Sequence, residues 1–186
     1  MSTNSFSIEN LIKIHAKFFA KAKNMPLNQA YNELAIKNHF ENYHEVVKVL
    51  NKNRNDPRIH KLAFQYDYGL DDLINPMDIY SDINFYLEDV FSSEMASMNA
   101  YDFSCDYNSV TFDSYDENTG VLLLDVDLDF SGDADPDRPY SGHIIYAEIR
   151  LALNKTKDGW ELNTELSEVL ESKDNTQLPG FYDDDY

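Results

Sequence analysis

The sequence predicts an α+β fold: a small N-terminal unit of three helices, then an antiparallel β-sheet of about four to six strands packed on one long helix. Three observations carry this reading. Residues 121–130 and 143–154 alternate apolar and polar side chains with period 2, the mark of an antiparallel pair with one buried and one wet face. Residues 8–51 instead space their apolar side chains at helical intervals, in three short runs. Residues 76–98 hold one longer helical stripe between the two regions. With 186 residues, 13 Tyr and 11 Phe, the chain has the length and bulk for a sizeable core.

The first helix covers residues 8–23. Ile8, Leu11, Ile12, Phe18, Phe19 and Ala22 make its apolar face, and lysines fill much of the rest. Pro26 ends it. Asn28 is placed to cap a second helix over 29–38, with Ala30, Leu34 and Ala35 inward. A third, over 42–51, presents Tyr43, Val46, Val47 and Leu50. The string Ala16–Lys17, then Pro26–Leu27–Asn28–Gln29–Ala30, Glu33–Leu34–Ala35 and Phe40–Glu41–Asn42–Tyr43–His44–Glu45–Val46, resembles a helical segment at the N-terminus of some bacterial glyoxalase-superfamily and plasmid-encoded proteins. Asn38–His39 stand where that pattern has leucine–glycine. The resemblance implies a bacterial or mobile-element origin. It brings no active-site residue, because no metal-binding glyoxalase domain follows it.

Residues 51–61 are polar, basic and interrupted by Pro57, and read as a linker. Beyond them Leu62, Phe64, Tyr66 and Tyr68 alternate as in a short strand, and residues 69–75 form a turn. Asn75, Pro76 and Asp78 suit the cap, first position and first turn of a helix running to about Met98. Its inner stripe is Tyr80, Ile83, Leu87, Val90, Phe91 and Met98. Residues 101–107 and 110–115 read as two strands, 116–120 as a hairpin turn and 131–142 as a long acidic loop. Asp158–Gly159 turns the chain into a strand over 160–166; residues 164–172 suit either a strand or a closing helix. The domains expected are a helical unit over 1–50, a linker over 51–61, an acidic α+β domain over 62–172 and a mobile acidic tail over 173–186.

Most chemistry-bearing motifs fail on inspection. No run of about 18 apolar residues exists, so no membrane span or membrane partner is expected. The polar N-terminus is no secretory signal, and a single cysteine, Cys105, excludes an internal disulfide; a cytoplasmic location is expected. An EF-hand needs Gly at its sixth position and Glu at its twelfth. Counted from Asp133 these are Arg138 and Ile144, and from Asp125 they are Phe130 and Pro136. His44–Glu45 opens like a zincin helix, but Lys48 stands where the second histidine belongs. His15, His39, His60 and His143 show no ligand spacing. Cys105 is in phase with Tyr101, Phe103 and Tyr107, which is a core position rather than that of a nucleophile. Only 6 glycines are present and none form a phosphate loop. No cofactor, metal or catalytic residue is expected; a small enzyme with a pocket between sheet and helix is an alternative that sequence alone does not address.

Charge is the strongest functional signal. The net charge is −19, and it is divided unevenly. Residues 1–61 hold ten Lys/Arg and five Asp/Glu; residues 62–186 hold five Lys/Arg and 29 Asp/Glu. A compact unit of that second size is roughly 35 Å across, so its net charge comes to about one per 1.5 Å, against roughly one per 1.7 Å in duplex DNA. The pattern predicts a non-enzymatic inhibitor or binding protein that occupies the basic nucleic-acid-binding surface of a partner such as a nuclease. Such a protein would be DNA-mimicking, anti-restriction or anti-CRISPR-like, or immunity-like. Asp125, Asp127, Asp129, Asp133, Asp135, Asp137 and Glu148 would supply charge, with Tyr140 and Tyr146 as anchors. Direct nucleic-acid binding is not expected. A regulator is the alternative: Lys13, Lys17 and Lys21 recur on one helix face and would contact DNA while the acidic domain binds a partner.

Overall fold

Capping side chains set the limits of the N-terminal helices. The computed structural model describes residues 5–139 and 141–177. It divides into a unit of residues 1–69 with 117–120 and a unit of residues 70–116 with 121–186. In the first unit Ser7 accepts a hydrogen bond from the Asn10 amide (3.3 Å) and opens α1, Ile8–Lys23. Asn24, in the left-handed region (φ 51°), closes it. Helix α2, Leu27–Lys37, follows Pro26 directly, so it starts two residues earlier than an Asn28 cap implies. Asn42 caps α3, Tyr43–Lys52, by accepting from the Glu45 amide (3.1 Å), while Glu45 accepts from the Glu41 amide (2.6 Å). The first bond satisfies a donor that a helix start otherwise leaves open, and the second ties the residue before the cap to the first turn.

Residues 57–64 correct the expected linker and the expected strand after it. They form a fourth helix, α4, Pro57–Phe64. Asp56 accepts from the Arg58 amide (2.9 Å), Pro57 takes the first helical position, and Ile59, Leu62, Ala63 and Phe64 are all buried. Leu11, Ile12, Ala16, Leu34, Val46 and Leu50 of the other three helices are buried in the same unit, so four helices rather than three build it. The turn at 117–120 belongs to the same unit. Glu117 accepts from the Ile8 amide (3.0 Å) and pairs with Arg54, which also holds Glu9 (2.7 Å).

The second unit starts with a 3-10 turn, Leu70–Leu73, then α5, Met77–Val90, and α6, Ser92–Ser97. The single long helix expected over 76–98 is therefore two. The chain leaves helical geometry at Phe91, whose buried ring meets that of Phe130 at 6.1 Å; Ser92 and Ser93 then give weak support for continuing the same helix. Five antiparallel strands follow: β1, Ala100–Asp116; β2, Val121–Ala134; β3, Ile144–Lys155; β4, Trp160–Leu162; and β5, Glu168–Asp174. The order is β1-β2-β3-β4, with β5 also paired to β3. The two strands expected over 101–115 are one, carried through by register shifts near Ser104, Ser109 and Ser114. Strand β2 runs on to Ala134, so the acidic loop is shorter than expected, and Glu168–Asp174 is extended as β5 rather than helical.

The sheet buries one face. Leu122, Leu124, Val126, Leu128 and Phe130 of β2 and Ile145, Ile149, Leu151 and Leu153 of β3 are essentially inaccessible, as are Ile83, Leu87 and Phe91. Each such side chain contributes about 1.5–3 kcal/mol by leaving water. A one-residue slip would turn all of them outward, so the alternation fixes the register and the composition of the opposite face.

Candidate functional site

That opposite face is where the carboxylates lie, and cross-strand pairing arranges them in rungs. One rung runs Thr111, Asp125, Arg150, Glu168 across β1, β2, β3 and β5. The next is Ser109, Asp127, Glu148, Glu171. The third is Asp106, Asp129, Tyr146, Lys173. Neighbours along a rung have Cβ atoms about 4.5–5.5 Å apart, and rungs follow at about 6.7 Å.

The rungs differ in how their charge is met. Arg150 donates from Nε to Asp125 (2.9 Å) and from Nη2 to the other Asp125 oxygen (3.3 Å). It also reaches Glu168 (3.4 Å) and Asp113 (3.7 Å). The hydrogen bond to Asp125 raises the Arg150 pKa further above its ordinary value, so this guanidinium is a permanent positive centre. Asp129 accepts from the Asn108 amide group (2.7 Å). The middle rung has no such partner. Asp127, Glu148 and Glu171 are exposed, and among the described residues no cation pairs with them. A shallow groove of about 710 Å³ follows this rung, floored by Asp127, Asp129, Glu148 and Glu171 with Tyr146 and Lys173 beside them.

The sequence-predicted residues thus separate. Asp127, Asp129, Tyr146 and Glu148 come together on one surface. Asp125 shares that face but is neutralised by Arg150. Asp133 lies on β2 opposite Tyr101 and is exposed. Asp135 is half-buried and committed: it accepts from the Asp137 amide (2.9 Å) and lies 3.4 Å from the Arg138 guanidinium. Asp137 is exposed, and Tyr140 lies outside the described residues, as does the tail beyond residue 177. Sequence reasoning missed Glu171, Glu168 and Asp106 as members of this face. A one-residue bulge in β5, which pairs Val169 with Ile149 but Glu171 with Glu148, hides the alternation that would have revealed the first two.

Two other places could carry chemistry. A cleft of about 470 Å³ is lined by Asp71, Asn75, Tyr80, Cys105, Tyr107 and Asn108. Its cysteine is buried, and burial pushes the thiol pKa up, which keeps it protonated and unreactive. Burial likewise raises the Tyr107 hydroxyl. Among the described residues no group of three or more His, Cys, Asp or Glu is arranged to hold a metal. On α1, Lys13, Lys17 and Lys21 are exposed and make no ion pair among the described residues. Their unit has ten Lys/Arg against seven Asp/Glu, a net of +3, since Asp67 and Glu117 belong to it.

Fold and surface together define an α+β protein whose sheet turns an acidic face outward. No family model, curated protein or solved structure matches the chain. No helix among the described residues is long and apolar enough to cross a membrane.

Proposed function

We infer that the protein is a non-enzymatic acidic inhibitor whose sheet face occupies the basic nucleic-acid-binding surface of a partner, in the manner of a DNA mimic or an immunity protein. One observation carries this: Asp127, Glu148 and Glu171 stand directly opposite one another on three strands, and among the described residues no cation pairs with them. Like charges so placed destabilise a sheet. The adjoining rung shows the ordinary remedy, an arginine among the acids. A bare rung beside a neutralised one suits a surface completed by cations from another molecule. Such a surface speeds encounter and selects basic partners.

The test is capture from a bacterial lysate at low salt by immobilised protein, with elution by a salt step and with a polyanion competitor in parallel. One nucleic-acid-processing complex, displaced by the polyanion, is expected. The triple substitution Asp127→Asn, Glu148→Gln, Glu171→Gln should slow association with it about tenfold at low salt. Asp125→Asn, already held by Arg150, should slow it much less. Equal capture by the triple variant, or only a smear of basic proteins, would sink the assignment. Salt-sensitive DNA binding lost on replacing Lys13, Lys17 and Lys21 would establish the regulator instead.

A further inference from the structure

We propose that the outer edge of β5 is a docking strand that receives an extended basic segment of the partner by β-augmentation. This deepens the acidic-face reading and rests on it. The two edges of the sheet are treated differently. At β1, α5 covers the edge backbone at Cys105, whose amide donates to Asn84 Oδ1 (3.0 Å) and whose carbonyl accepts from the Tyr80 hydroxyl (3.0 Å). Three register shifts and a left-handed residue, Asp102 (φ 52°), bend that edge further. Such devices keep an edge from pairing with other chains. At β5, among the described residues, no strand lies beyond and the backbone of 168–173 makes no hydrogen bond outside its ladder to β3.

The side chains there specify the occupant. Leu166 and Leu170 are 54% and 41% exposed, large apolar groups at or just before the edge. Glu168 and Glu171 are exposed and close the acidic rungs on this side. A strand added to β5 extends both rungs by one position, which places its own side chains about 5 Å from those two glutamates. Lysine or arginine there completes the rungs, and an apolar residue between them meets Leu170. A second copy of this chain is disfavoured as occupant, because it would set glutamates against glutamates between molecules of net charge −19. The occupant is therefore an extended segment that alternates basic and apolar residues, held by backbone bonds and chosen by charge.

The intact protein is titrated with a synthetic lysine–valine alternating peptide and with the same peptide N-methylated on one edge, equal in charge but unable to donate to β5. The unmethylated peptide is expected to bind about tenfold more tightly and to slow amide exchange within 168–173 but not in β1. Glu171→Lys, folded as judged by circular dichroism, should weaken it further. Equal binding of the two peptides overturns the edge assignment and leaves the acidic face standing. Binding by neither, or dimerisation through β5 without peptide, also overturns it, while lysate capture judges the acidic face separately.

Discussion

Arg150 decides which carboxylates of the wet face are open to a partner. From β3 it holds acids of three other strands together, Asp113 of β1, Asp125 of β2 and Glu168 of β5. The alternation in β3 shows from sequence that Arg150 faces water beside Tyr146 and Glu148. It does not show which acids come to it, because Asp125 and Glu168 lie 25 and 18 positions away and only the strand register brings them together. The three aspartates of β2, equivalent by spacing, are thereby made unequal. Replacing Arg150 with Met keeps the aliphatic stem and removes the charge. The melting temperature should fall at low salt and recover most of the loss near 0.5 M salt, where charges are screened within about 5 Å. Association with a basic partner should quicken, because Asp125 is released. A loss of stability that salt leaves untouched would assign Arg150 to packing and not to charge.

At the scale of elements, strands β2 and β3 were legible because each buries one face, and burial writes period 2 into the residues. The elements misread are those where a local irregularity interrupts the period. Bulges divide β1 into two apparent strands, and another conceals β5. The alternation of Leu62, Phe64, Tyr66 and Tyr68 imitates a strand and conceals helix α4. Its start was nevertheless written in Asp56 and Pro57, a cap followed by proline at the first position. Sequence gave no sign that α5 guards the edge of β1, since the contact joins residues 21 apart through a backbone amide. Asn84→Ala should cost about 1–2 kcal/mol, because it leaves the Cys105 amide without its acceptor. Urea denaturation would show the loss, and amide exchange would place it at Cys105. Unchanged stability would mean that water replaces Asn84 without penalty and that this edge is not guarded.

Across the whole molecule, charge and burial set the two units against each other in their response to pH. The sheet unit carries five Lys/Arg against 27 Asp/Glu, a net of −22, and folds against its own repulsion. Acid lessens that repulsion. In the helical unit burial lowers the pKa of both His15 and His60. His15 also meets the Leu62 carbonyl through Nδ1 (2.9 Å), with Lys37 lowering and Asp67 raising its pKa more weakly. The unfolded chain, whose histidines titrate near 6.5, therefore takes up protons before the folded unit does. The stability these groups contribute is complete above about pH 6.5 and is lost as the pH falls below it. Trp160, the only tryptophan, lies in β4 and reports on the sheet unit, while helical circular dichroism reports mainly on the other. Between pH 7.5 and 5.5 the helical melting temperature should fall while the Trp160 transition holds or rises, and His15→Gln should flatten the helical change. A single transition that moves down on both probes would show that the units melt as one body and that histidine burial governs the whole chain.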